Sequence, residues 1–229
     1  MKKFLFALLP LLFLTLACHK SEPTYSGIEA GLLSSRVFKS DSGTQMNVVG
    51  NEGNFDVNRT RRVLISYRTR PLTDAGRFDV DILGLWEASI LAPSAVDSMP
   101  DGPDGSSIEV SDAWFGGGYL NLLVSYQGED AALHTLATTY KADPNGIVVR
   151  LHHDGSKDQA PANKVFDMFL SIPMDEPCLS YDQQSIAVGK KQGDYPATVR
   201  VQWTSYTLEG GPLTLFEEKG YYTPPVQNN

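Results

Sequence analysis

The chain has 229 residues, with 19 Lys and Arg against 27 Asp and Glu, for a formal net charge of −8 at pH 7. An acidic chain of this kind is a poor whole-surface ligand for nucleic acid, whose binders gain affinity by neutralising phosphates with Lys and Arg. Two cysteines are too few for a disulfide scaffold, so the fold must rest on core burial, which a chain of this length can supply.

Residues 1–17 read as an export signal: Met1-Lys2-Lys3 is basic, and Phe4 to Ala17 is apolar. The run is too short to span a bilayer, which takes about 20 apolar residues in a helix, and it is interrupted by Pro10 and closed by His19. Leu14-Thr15-Leu16-Ala17-Cys18 resembles the lipobox of bacterial lipoproteins, with Thr15 where that pattern usually has an aliphatic residue. The resemblance implies cleavage before Cys18 and lipid attachment to its sulfur; a conventional signal peptide followed by a free cysteine is the alternative. Each buried acyl methylene contributes about 0.8 kcal/mol and two chains hold firmly, so diacylglycerol on Cys18 would suffice as an anchor. Cleavage removes two lysines, taking the net charge from −8 to −10. His19 following Cys18, in place of an aspartate, points to the outer membrane, with the leaflet left open. Residues 18–26 are then a polar tether.

Beyond the tether the chain reads as strands. Val63, Ile65 and Tyr67 alternate with other residues, as do Phe78, Val80 and Ile82 with Asp79 and Asp81, and the turn-like 71–76 between them predicts a hairpin. Residues 92–107, rich in Pro, Gly, Asp and Ser, cannot run through a sheet interior and mark a boundary. Strand patterns resume with Leu120, Leu122, Val124 and Tyr126, then Leu136, Thr138 and Tyr140, then Ile147, Val149 and Leu151. Phe166, Met168, Leu170 and Ile172 share another face, as do Val199, Val201 and Trp203. Short strands at this spacing predict a β-sandwich. No run shows sustained helical periodicity; 181–193 is ambiguous. The expected class is all-β, with 27–95 as a first domain, 96–107 as a linker, 108–224 as a second domain and 225–229 as a tail.

The segment from Val110 through Trp114-Phe115-Gly116-Gly117-Gly118-Tyr119 to Leu122, with the later LHHDG and FDMFLSIPM stretches, resembles the NigD-like lipoproteins of Bacteroidetes over about residues 26–223. That resemblance implies an N-terminal OB-like Greek-key barrel followed by a C-terminal β-sandwich. The family takes its name from a bacteriocin operon in which one member was proposed as an immunity protein. Fold analogy does not supply a site.

No hydrolase, zincin or phosphate-loop signature is present. His152 and His153 are adjacent, so on a strand they point to opposite faces and cannot share an ion; His152 falls on one face with Arg150. Asp97, Asp101 and Asp104 lack calcium-loop spacing. Asp79 and Asp81 read as a solvated strand face rather than a glycosidase pair. Cys178 follows Asp175 and Glu176, which should raise its pKa and leave it a bystander. Two features remain as candidate binding residues: the aromatic cluster Trp114, Phe115 and Tyr119 around a glycine turn, which could stack on a sugar or anchor a partner, or else plug the sandwich or the domain contact; and Arg59, Arg61, Arg62, Arg68 and Arg70, which could meet an anion or neutralise nearby carboxylates. The expected function is a non-enzymatic envelope lipoprotein, tied to the membrane through Cys18 and binding a protein or glycan, with no cofactor or metal; bacteriocin immunity and a lipid-tethered hydrolase are the alternatives.

Overall fold

A computed structural model describes residues 25–71, 78–159, 163–189, 197–206 and 213–222, the last range by its backbone. Cys18, the leader and the 225–229 tail lie outside the described residues.

The first unit is a closed barrel of β1 (Ser26–Ser34), β2 (Val37–Ser40), β3 (Gln45–Asn51), β4 (Arg61–Thr69) and β5 (Phe78–Glu87). The strands close in the order β1-β2-β3-β5-β4, with β3 and β5 parallel and the other pairs antiparallel. This is the OB-like Greek-key barrel implied above. The alternation on β4 and β5 places Val63, Ile65, Tyr67, Val80 and Ile82 inside, where they meet Leu33, Phe38, Met46 and Val48. Each inward residue of a closed barrel has neighbours all round, and this accounts for the complete burial of Leu33, Phe38, Val63, Ile65, Val80 and Ile82.

Leaving the barrel, the chain forms two short strands, β6 (Ser89–Ile90) and β7 (Ser94–Ala95). A boundary at residue 95 assigns both to the barrel, yet β6 pairs with β12 and β7 with β10, so the crossing into the second unit begins at residue 89. That unit continues through β8 (Glu109–Gly116), β9 (Tyr119–Gly128), β10 (Thr135–Asp143), β11 (Gly146–Asp154), β12 (Lys164–Pro173), α1 (Asp175–Ala187), β13 (Ala197–Tyr206) and β14 (Leu213–Tyr222). One sheet runs β14-β13-β11-β10-β7 and the other β6-β12-β9-β8. Their facing sides carry the apolar sets read by period 2: Leu120, Leu122, Val124 and Tyr126, Ile147, Val149 and Leu151, Leu170 and Ile172, Val199, Val201 and Trp203 form one core.

Helix α1 departs from the all-strand expectation. It carries no apolar stripe of its own: Leu179 and Ile186 are exposed, and its buried positions are Pro177, Cys178, Tyr181 and Ser185. Asp175 and Glu176 suit the positive end of a helix, and Pro177 in the first turn removes a donor that has no intrahelical partner. Met174, Cys178 and Tyr181 join the sandwich core, and Tyr140 Oη lies 3.0 Å from Ser180 Oγ, so tertiary packing holds the helix. No helix among the described residues is long and apolar enough to cross a membrane.

The segment 96–107 is not a free spacer but a strap along the β14-β7 sheet. Val96 N donates to Tyr140 O, Asp104 N to Thr204 Oγ1 and Ser106 N to His153 O, all at 2.7–2.9 Å. It covers the face shared by Arg150 and His152, so that Arg150, expected on a polar face, is only 1% exposed. Asp104 lies 3.1 Å from His152 Nδ1 and 3.8 Å from Arg150 Nη1, as a counter-charge rather than a calcium ligand.

Candidate functional site

The five arginines are drawn into the protein's own carboxylates. Arg59 and Arg61 approach Glu87, Arg61 also approaches Asp56, Arg68 reaches Glu52, and Arg70 forks onto Asp81 with contacts of 2.7–3.1 Å. Asp79 accepts from Asn47 Nδ2, so the Asp79 and Asp81 face is internally paired.

Arg62 is different in kind. It leaves the outer face of β4 and grips Asp41 with both terminal nitrogens, at 2.8 and 2.7 Å, while also donating to Asn121 Oδ1 on β9 and Ser171 Oγ on β12, each at 2.8 Å. Ser171 in turn donates to Asn121 Oδ1 at 2.8 Å, and both are fully buried. The guanidinium lies over the Tyr119 ring at 4.1 Å, a cation–π contact. This buried, mutually bonded set locks the barrel to the four-stranded sheet.

The aromatic cluster lies along the same seam. Trp114 stacks on Phe169 with ring centroids 5.9 Å apart, against Ala30 and Leu64 of the barrel, and Phe115 packs on the sandwich core. Gly117 and Gly118, at φ +59° and +87°, form the tight β8–β9 turn. Gly116 and Gly117 also let the turn approach Asp41, because a Cβ on Gly117 would sit 2.3 Å from Asp41 Oδ1. Trp114, Phe115, Tyr119 and Arg62 therefore meet where barrel and sandwich join, whereas Arg59, Arg61, Arg68 and Arg70 stand apart on the barrel.

A second constellation escaped the sequence reading. At one end of the sandwich a cleft of about 650 Å³ opens between the strap, β9 and the end of β13, within the about 300–1,000 Å³ range of small-ligand sites. Its inner wall is a chain of buried polar groups: Asp158 Oδ2 to His134 Nε2 at 3.0 Å, His134 Nδ1 to His153 Nε2 at 2.8 Å, and His153 Nδ1 donating to Ser107 O at 2.7 Å. Asp158 Oδ2 also accepts from the backbone N–H of Glu129 and Asp130. Tyr126 packs on both imidazoles, with centroids 4.6 and 4.7 Å away. Burial above all holds the His153 pKa below its ordinary value, and burial pushes the Tyr126 phenol up. A carbonyl only accepts, so His153 carries its hydrogen on Nδ1; when neutral, its Nε2 accepts from His134 Nδ1. Each of the four ring nitrogens thus faces a protein partner within 3.0 Å, and His134 donates to both of its partners only when its ring carries two hydrogens. Nearer the mouth, Ser107 Oγ lies 3.3 Å from Ser205 Oγ, and Ser205 Oγ donates to Glu109 Oε2 at 3.1 Å.

His134 and Asp158 come together from positions 24 residues apart, and nothing local in either segment announces the pairing. The one available signal was His153 continuing the apolar series Ile147, Val149, Leu151, which puts an imidazole at the end of a core face. Among the described residues no group of three or more His, Cys, Asp or Glu is arranged to hold a metal ion.

A NigD-like immunity protein from Bacteroides caccae matches with a TM-score of 0.60 at 19% identity, over 88% of this chain and 97% of that one. The chain has the NigD-like fold. A protein of unknown function from Bacteroides vulgatus superposes with a TM-score of 0.58 at 12% identity, covering 89% of this chain and 93% of that one. A candidate lipoprotein from Bacteroides fragilis gives 0.54 at 13% identity, covering 86% and 97%. None of the three carries the name of an enzyme. No family profile matches the chain, and no curated protein does. The NigD-like likeness spans barrel and sandwich together, so the Arg62 seam joins two units of one shared architecture.

Proposed function

We propose that this protein is an outer-membrane lipoprotein, anchored through Cys18, that works by binding an envelope protein or glycan and not by catalysis. The observation that carries the non-catalytic reading is the engagement of every imidazole nitrogen in the cleft. A general base needs a nitrogen that faces substrate or nucleophile, and here each ring nitrogen of His134 and His153 faces another protein group within 3.0 Å. The anchor reading rests on the leader and is supported by the short approach to the body. Tyr25 is seven residues after Cys18, so the barrel stands within about 25 Å of the lipid at full extension.

The test is a crosslinked pull-down from intact envelopes, comparing the native protein with a Cys18→Ser form. The reading expects a specific partner with the native chain, loss of membrane fractionation with Cys18→Ser, and Cys18 found lipidated by mass spectrometry. Hydrolysis of a glycan or peptide panel that disappears in His134→Ala would overturn the non-catalytic reading. Bacteriocin immunity is the second reading, favoured by the fold shared with the Bacteroides caccae immunity protein. It predicts that deleting the gene sensitises the cell to a cognate toxin.

A further inference from the structure

The cleft at the end of the sandwich carries more than a buried histidine chain, because its mouth presents polar groups left over from the fold's own hydrogen bonding. Glu109 is fixed by Ser205 through Oε2, and its Oε1 has no hydrogen-bond partner among the described residues. The side chains of Ser125 and Gln127 on β9 line the same cleft and likewise make no hydrogen bond among the described residues. On the rim, Tyr206 is 55% exposed and presents a ring and a hydroxyl together.

The chemistry of this set selects a ligand class. Among the described residues no Lys or Arg lines the cleft, and Glu109 is the one exposed carboxylate there, so a phosphate, sulfate or uronate would enter without a counter-charge and against an anion. A purely apolar ligand would strand the open carboxylate and amide, which costs the desolvation of each. A carboxylate oxygen, an amide, a hydroxyl and an exposed aromatic ring are together what a neutral polyol requires. Sugar hydroxyls donate to the carboxylate and both give and accept at the amide and serine, while the C–H face of the ring lies on the aromatic.

The floor is also preformed. His153 holds Ser107 by its carbonyl, and the Ser107–Ser205–Glu109 chain fixes the carboxylate before a ligand arrives. Pre-organisation lowers the cost of binding. We infer that this cleft, with Glu109, Ser125, Gln127 and Tyr206 as its contacts, is a binding site for an uncharged sugar unit. This inference deepens the binding reading above and rests on it for its biological setting, but the site itself does not depend on the lipid anchor.

The experiment uses the full-length protein in a detergent without a sugar headgroup, with xylohexaose, mannohexaose and chitotetraose as neutral probes and hexagalacturonate as the acidic one. Calorimetry and saturation-transfer NMR read binding. At least one neutral probe should bind with a Kd of about 1 mM or tighter, and hexagalacturonate should bind at least about tenfold more weakly. Tyr206→Ala and Gln127→Ala, both at exposed positions that leave the core intact, should each weaken binding about tenfold, with unfolding midpoints unchanged. Glu109→Gln should narrow the gap between neutral and acidic probes. Silence from all three neutral probes at about 10 mM, preference for the acidic probe, or binding indifferent to both exposed variants would overturn the assignment. Such a result would leave the pull-down free to succeed with a protein partner, so the two readings fail separately.

Discussion

Arg62 of the barrel and Asn121 of the sandwich are joined by a 2.8 Å hydrogen bond from Nη2 to Oδ1, inside a set that also ties in Asp41 and Ser171. The side chains of Arg62 and Asp41 are only 9% and 13% exposed. Removing one member of a buried charged pair leaves the other desolvated and unpaired, at a cost of about 3–5 kcal/mol. Arg62→Ala should therefore lower the denaturant midpoint far more than Arg68→Ala, whose partner Glu52 is 56% exposed and whose contribution is at most about 1 kcal/mol. A double-mutant cycle with Asp41→Asn should show strong coupling. Equal, small effects at the two arginines would mean that the seam is not closed in solution.

The glycine turn permits a sharper comparison. Gly117 and Gly118 both have positive φ, so an added Cβ strains the backbone similarly, by about 1–2 kcal/mol. Only at Gly117 would that Cβ meet Asp41, whereas at Gly118 nothing lies within 4 Å. Gly117→Ala should thus be more destabilising than Gly118→Ala by about 1–3 kcal/mol, the usual cost of overpacking. Urea unfolding of the two variants, side by side, isolates the close approach from the strain.

How much of this could be read from the chain follows from range. The face shared by Leu120, Leu122, Val124 and Tyr126 was legible because side-chain alternation is local, and the same holds for Ile147, Val149 and Leu151. Phe169 was not, since it points away from Leu170 toward a partner, Trp114, 55 residues earlier. Helix α1 shows in the sequence only as the ambiguous stretch 181–193, because its buried face includes Cys178, Tyr181 and Ser185, with no apolar stripe to give it a period. In the site, His153 alone was visible at the end of a core series; its partner His134 and the cleft around both depend on strands that pair across the sandwich.

His153 gives a pH prediction. Its pKa is lowered chiefly by burial, so the folded state resists a proton that the unfolded chain accepts below about pH 6.5. The unfolded state then binds more protons, and stability rises with pH across this range. Stability is full above pH 6.5 and declines as pH falls toward the lowered folded value, by up to about 1.4 kcal/mol per pH unit for one group. His153→Phe, at a position already flanked by Tyr126 and His134 rings, should flatten the dependence of the urea midpoint between pH 7 and pH 5. Asp154 nearby does not mask the effect, because hydrogen bonds from Ser156 hold its carboxyl below its usual range.

Cys178 offers a reading of the anchor as well as of the core. Burial, then the carboxylates of Asp182 and Asp175, push its thiol up to about 12; Asp182, one helical turn on, takes the part expected of Glu176. A thiol 7% exposed and protonated at neutral pH is neither accessible nor nucleophilic. In the native protein it should fail to react with a disulfide reagent over hours, and after unfolding it should titrate fully. The chain has two cysteines, so the total count separates the two states of Cys18. A lipidated protein yields no reactive thiol when folded and one when unfolded. An unmodified Cys18 adds a second, fast and independent of unfolding, and that outcome would remove the membrane anchor while leaving the burial of Cys178 intact.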